Sequence, residues 1–277
     1  MRASSPILAG RVEADVLGEV ARLEQIFTIF DEASALNELH RTGSTAVPEL
    51  QAVLALAAEW QQRSGGAFDP GIGELMHLWD DAEASGAPPG PTAIAEVLAA
   101  RDNRSQTTAV DNLNAIAKGW IAQAAVDRVD TSGGHGGSDG DLDSVWLSLG
   151  GDVVHRGAGS LRVGIEDPHR PYDNVAPLAS IEITNEALAT SGGTRRWWTI
   201  DGRRYPKVLD PRTGEPVDHV ASATVVARDA ATADVLATIA TVASEAETLA
   251  LMREANAECL LIRPDRSHVA STSRFKL

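Results

Sequence analysis

Asp234 and Thr238 stand four residues apart in Thr232-Ala-Asp-Val-Leu-Ala-Thr238. On a helix that spacing puts a carboxylate and a hydroxyl on one face, one turn apart. Two oxygen donors so placed suit a hard cation such as Mg2+, which takes one or two carboxylates and fills its shell with water and phosphate oxygens. Alone, an Asp and a Thr near a helix start read more often as a cap and a solvated neighbour. Lys207 is the second candidate, ahead of Asp210-Pro-Arg-Thr-Gly214. That segment is a turn: Pro fixes one φ, Asp can cap a following N–H, and Gly permits positive φ. A Lys of ordinary pKa does not exchange protons near neutral pH unless desolvated, so Lys207 suits a fixed cation clamping a phosphate. A surface place on a hairpin is its alternative. His219 is the histidine nearest in sequence, and nothing in the sequence brings it to the site.

These residues need elements to hold them. Ala221 to Ala227 is β-branched and apolar, which predicts a buried strand. Asp229 or Thr232 can cap the helix that follows. Val12 to Phe30 carries Val16, Val20, Leu23, Ile26, Phe27 and Phe30 at helical intervals, an amphipathic helix. Val47 to Arg63 is a second helix, ended by Ser64-Gly-Gly66. Gly66-Ala-Phe-Asp-Pro-Gly-Ile-Gly73 is a Gly/Pro loop, and His77 and Trp79 beyond it suit packing. Asp80 to Gly90 reads as a polar loop and Pro91 to Asp102 as a short helix. A further helix carries Ile116, Trp120, Ile121 and Ala124 on one face and runs to about Val129. Its N-terminus would offer free N–H groups to an anion. The Gly-rich run 131–141 is expected to be mobile, and its His135 stands alone.

Strands are expected at Ser144 to Leu149, Leu161 to Ile165 and Ala179 to Thr184. Another runs from Trp197 through Thr199 toward Tyr205. From Thr248 the tail gives a helix and then a strand, Cys259 to Arg263.

Composition bounds the function. The chain has 277 residues and a formal net charge of −15, which argues against a nucleic-acid binder. It leaves room for a nucleotide site neutralised by metal and backbone N–H groups. One cysteine, Cys259, excludes an intramolecular disulfide, and its apolar flanks suggest a buried strand. No stretch approaches the ~20 apolar residues of a membrane span, and the N-terminus lacks an h-region. A soluble, cytoplasmic protein is therefore expected.

The turn Asp210-Pro-Arg-Thr-Gly214-x-Pro216, the Val-rich strand and Ala233-Asp-Val-Leu-Ala-Thr238 follow one another in the order and spacing of the ApbE family. Four further segments agree: Ala67-Phe-Asp69, the run from Asn112 to Trp120, Gly150-Gly-Asp152 and Leu188-Ala-Thr-Ser-Gly192. The chain thus resembles the FAD:protein FMN transferases over residues 15–260 or so. The resemblance implies an α+β fold: two β-layers with flanking helices, the nucleotide in a cleft between subdomains, and a single domain over residues 1–277. It implies Mg2+-dependent transfer of FMN from FAD to a Ser/Thr hydroxyl of an acceptor protein, with release of AMP.

By the same resemblance, Asp234, Thr238 and the Ala115 carbonyl would hold Mg2+. Phe30, Ala67, Phe68, Asp69, Asn112, Lys118 and Lys207 would meet FAD, and Lys207 and Asp234 would be catalytic. The chain departs from the family at Phe30 and Thr194, where relatives carry Tyr, at Asn112, where they carry Asp, and at Lys207, where they carry His. Relatives also begin with a strand bearing Met/Leu-Gly-Thr, which is not found here; many are exported lipoproteins. Two alternatives stand beside transfer: FAD binding without catalysis, and FAD hydrolysis to FMN and AMP.

Overall fold

The computed structural model describes residues 1–102, 113–129, 141–172, 174–194 and 196–277. The first half is mostly helical: β1 (Arg2–Ala3), α1 (Pro6–Phe27), α2 (Ala35–Thr42), α3 (Pro48–Arg63), α4 (Gly73–Ser85), α5 (Pro91–Asp102) and α6 (Asn114–Asp127). Strands then dominate: β2 (Leu142–Leu149), β3 (Asp152–Gly157), β4 (Leu161–Ile165), β5 (Ala179–Ile183), β6 (Ala187–Gly192), β7 (Trp197–Ile200), β8 (Arg203–Pro206) and β9 (Ser222–Ala227). The chain ends with α7 (Ala230–Val242), α8 (Glu245–Glu254), β10 (Glu258–Ile262) and β11 (His268–Ala270).

The periodicity that predicts α1 has a structural cause. Val12, Val16, Val20, Leu23 and Phe27 form its buried stripe. The helix starts earlier than the periodicity suggests, because Ser5 and Pro6 are a start signal. The Ser5 hydroxyl accepts the Leu8 N–H at 3.2 Å, and Pro6 fills a first-turn position that needs no donor. It stops at Phe27, so Phe30 lies beyond it in a loop. The expected loop from Asp80 is helical as far as Ser85, where Gly86 at φ +76° closes α4. The expected single strand from Trp197 toward Tyr205 is instead the hairpin β7–β8. Asp201 and Gly202 at φ +48° and +74° make the tight turn, and an Asp-Gly pair is the usual signal for one.

Seven strands form one sheet in the order β1-β2-β3-β6-β9-β10-β11, each described pair antiparallel. On one face Ala223, Val225, Cys259 and Leu261 pack with α6 and α7. On the other, Leu188, Val226, Leu260 and Ile262 lie under the β4–β5 hairpin and Phe275. β9 is buried at every position, as its apolar run predicts. α7 is buried on nearly all sides, which suits a helix apolar all round. No described helix is long and apolar enough to cross a membrane.

Cys259 is fully buried in β10, and burial pushes its thiol up to about 11. The thiolate is the nucleophile, so alkylation by iodoacetamide at pH 8 should be negligible in the folded protein and should appear on addition of denaturant. Rapid labelling of the native chain would contradict this placement.

Candidate active site

α7 follows β9 directly, and its first turn is fixed by Asp229, whose carboxylate accepts the Thr232 N–H at 2.8 Å. Asp234 then points at α6 and is only 4% exposed. Its carboxylate accepts the Gly119 N–H at 3.1 Å and the Lys118 ammonium at 3.0 and 3.1 Å. Lys118 also donates to Asp152 at 3.1 Å. Asp152 opens β3, is 2% exposed, and follows a two-glycine turn with φ of +61° and +99°. A Cβ on Gly150 would lie 3.4 Å from Lys118 Cδ, so the turn packs closely beside the lysine stem.

The cluster is one ammonium between two buried carboxylates. Burial raises the pKa of both, and for Asp152 the nearby Asp234 charge adds to it. Burial works against the charge of Lys118, but Asp234 and then Asp152 more than offset it, so its pKa lies above the ordinary lysine value. When all three are ionised the cluster carries one excess negative charge in a poorly solvated place, which favours a further cation.

The donors present fit Mg2+. Thr238 lies one turn beyond Asp234 on the same helix. Ala115 is in the first turn of α6. In a regular helix the Gly119 N–H is directed at the Ala115 carbonyl. Here that N–H also reaches Asp234, and a carbonyl with two lone pairs can accept a second partner. Among the described residues no group of three or more His, Cys, Asp or Glu is arranged to hold a metal. Leu113, the N-cap of α6, makes no side-chain cap bond, and the Ile116 N–H turns back to the Leu113 carbonyl at 3.0 Å. Asn112 lies outside the described residues.

The other predicted residues fall in neighbouring clusters. Ala67 and Phe68 are buried in the main core, so their side chains serve packing. Asp69 accepts the Gly71 N–H at 2.7 Å and pairs with Arg101. Arg101 in turn donates to the Pro211 carbonyl at 3.1 Å, which ties this loop to the Asp210–Gly214 turn. Within that turn Asp210 caps the Arg212 N–H and grips its guanidinium, and Gly214 sits at φ +73°. Trp79 donates to the Gly214 carbonyl at 2.9 Å and stacks with Trp198 and Tyr205, a packing role as expected.

Lys207 does not join Asp234. Its ammonium donates to Asp80 at 3.0 Å and lies 5.1 Å from the centre of the Trp198 ring. Phe30 is 93% exposed. His219 bonds the Ala243 carbonyl, nine residues past Asp234 and about 13 Å further along the helix axis.

Asp152 is the residue that sequence reasoning passes over as a site member. The signal for it was its place directly after a Gly-Gly turn that ends a strand.

Comparison with known proteins identifies the family. The model of the ApbE family matches residues 2–261. A Treponema pallidum protein described as an FAD:protein FMN transferase is 30% identical, over 91% of this chain and 79% of its own length. A Vibrio cholerae protein of the same description is 29% identical, over 69% of this chain and 59% of its own length. The solved ApbE protein of Thermotoga maritima superposes with a TM-score of 0.79 at 23% identity, covering 98% of this chain and 92% of that one.

Proposed function

The chain belongs to the ApbE family, and we propose that it is an FAD:protein FMN transferase that uses Mg2+ and a Ser or Thr hydroxyl of an acceptor protein. The observation that carries this reading is the meeting of α6 and α7 at Lys118, Asp234 and Asp152, with Thr238 and the Ala115 carbonyl beside them. In the reaction the acceptor oxygen bonds to the FMN-side phosphorus. The bond from that phosphorus to the bridging oxygen breaks, AMP departs with that oxygen, and the hydroxyl proton is released.

Asp234, Thr238 and the Ala115 carbonyl would hold Mg2+. When bound, the ion would draw charge off the pyrophosphate. Lys118 and the N-terminal end of α6 would receive phosphate oxygens, with Asn112 preceding them in sequence. Asp152 positions Lys118 by holding its ammonium. Phe30, exposed in the loop after α1, would stack on the flavin. Ala67, Phe68 and Asp69 would shape the cofactor wall, the first two through their backbone. Lys207 serves as a fixed cation, held by Asp80 over Trp198, rather than as a proton carrier.

The test mixes the protein with FAD, Mg2+ and a carrier protein whose tail holds Asp-x-x-Thr-Gly-Ala-Thr, followed by denaturing electrophoresis. In-gel flavin fluorescence on the carrier, with equimolar AMP, is the expected result. AMP without covalent flavin would replace the proposal with FAD hydrolysis. Tight FAD binding with neither product would replace it with a binding protein.

A further inference from the structure

A cavity of about 660 Å³ lies on the sheet face opposite α6 and α7. It falls within the usual range for ligand clefts, about 300–1,000 Å³. Its floor is β6 and the start of β9, its roof is β4, and one end is the Gly150-Gly151 turn. Ser222 lines it, is 6% exposed, and its hydroxyl has no hydrogen-bond partner among the described residues. A buried hydroxyl left unpaired is unfavourable and marks a place where a ligand's polar group is expected.

The strand geometry says what kind of group that is. Even-numbered residues from Glu186 along β6 turn their backbone toward β3. The Glu186 carbonyl accepts the His155 N–H at 3.0 Å, and Leu188 stands opposite Val153. The Thr190 N–H faces the Asp152 carboxylate and works to lower its pKa. On the other side, the Thr190 and Thr224 hydroxyls are 2.9 Å apart, the close approach of a non-hydrogen-bonded pair. β3 begins only at Asp152, so it ends opposite Ala189 and leaves the strand edge beyond it without a neighbour. The backbone N–H and C=O of Gly192 and the C=O of Thr190 therefore face no strand among the described residues. They form a short open edge along the cavity, which the glycines at 150, 151, 164 and 192 also line.

We propose that this cavity receives the acceptor polypeptide as an extended segment, pairing with the open edge of β6 at Thr190 and Gly192. The proposal rests on the transferase reading and names where that reaction's second substrate binds. A strand adding to a sheet edge gains main-chain hydrogen bonds whatever its side chains, and adjacent pockets then select them. The segment supplies a partner for the Ser222 hydroxyl. A nucleotide is the poorer occupant: the helix N-termini and Lys118, which attract phosphates, stand on the other face. The two places nevertheless meet. Gly150 and Thr190 line the cavity, while Gly150 abuts Lys118 and the Thr190 N–H faces the Asp152 carboxylate. A polypeptide leaving the cavity round the Gly150-Gly151 turn thus arrives at the Lys118 cluster.

The test fills the cavity. Val163→Trp narrows it from the β4 side, and Ser148→Trp, at an exposed position on its rim, does so with little risk to folding. Two readouts are taken on the full chain: FAD affinity by flavin fluorescence, and binding of the carrier tail with its hydroxyl residues changed to Val, by fluorescence anisotropy. The non-reactive tail reports docking whether or not transfer occurs, so an absence of covalent flavin would count against the transferase reading and not against this one. Both variants should weaken tail binding by about tenfold or more, with FAD affinity changed less than about twofold. Unchanged tail binding in the folded Ser148→Trp variant, no tail binding by the wild type, or a tenfold loss of FAD affinity would each overturn the assignment.

Discussion

Asp234→Asn should lower flavin transfer on the order of 10³-fold while leaving the unfolding midpoint of the metal-free protein unchanged or higher. The loss of activity follows from chemistry. Asn offers a neutral oxygen where the proposal needs an anionic ligand, so charge on the pyrophosphate is no longer offset in the transition state. The retention of stability follows from the surroundings. Burial is the largest influence on Asp234 and raises its pKa, with the Lys118 ammonium and the Gly119 N–H opposing. An acid whose folded-state pKa is raised destabilises the fold above its unfolded pKa, increasingly as pH rises toward the folded value. Asn removes that penalty, keeps an oxygen for the Gly119 N–H, and leaves Lys118 paired with Asp152. The gain in midpoint should be seen at pH 7.5 and should shrink as pH falls toward about 3, where the wild-type carboxyl is protonated in both states. Calorimetry in EDTA at the two pH values measures it. A variant that loses activity and also unfolds at a much lower temperature at pH 7.5 would make Asp234 a structural residue first.

The elements were far more legible than the site. β9 and α7 could be read from Ala221 to Thr238 because a wholly buried strand and a helix apolar all round are continuous apolar runs, and of the two expected caps, Asp229 and Thr232, it is Asp229 that caps. The α5 bounds agree with the expected Pro91 to Asp102 because Pro starts that segment. Misreadings came where a polar face imitates a loop, as in α4 beyond Asp80, or where a turn signal was overlooked, as at Asp201-Gly202. The site is different in kind. Lys118 could be matched to a cofactor contact but not to its partners. Asp152 and Asp234 lie 34 and 116 residues further along and reach it only through the β3–β6–β9 pairing and the packing of α7 on α6. No local pattern encodes that meeting. Lys207 shows the converse: its sequence neighbourhood pointed to phosphate, and its folded neighbourhood is Asp80 and an indole ring.

Gly119→Ala should destabilise the protein by about 3 kcal/mol and take transfer activity with it, although helix propensity alone predicts the opposite sign. Within a helix, Ala is favoured over Gly by about 1 kcal/mol. The obstacle is the crossing of α6 and α7. A Cβ at position 119 would lie 2.2 Å from the Ala230 carbonyl oxygen, 2.7 Å from its carbon and 2.9 Å from Asp234 Cβ. Two of these atoms are backbone at the start of α7, so no rotamer change relieves the clash and the helices must separate. Separation draws Asp234 away from Lys118 and Gly119, the contacts on which the proposed metal site depends. The same substitution on α1 is the internal control. Gly10 and Gly18 have nothing within 4 Å of an added Cβ, so Gly18→Ala should stabilise by roughly 0.5–1 kcal/mol with activity intact. Urea unfolding of the two variants compares helix propensity with packing at matched chemistry. Opposite signs would place the tight crossing at the centre of the site's architecture. A stabilised, active Gly119→Ala variant would mean that α6 and α7 can move apart without disturbing the cluster between them.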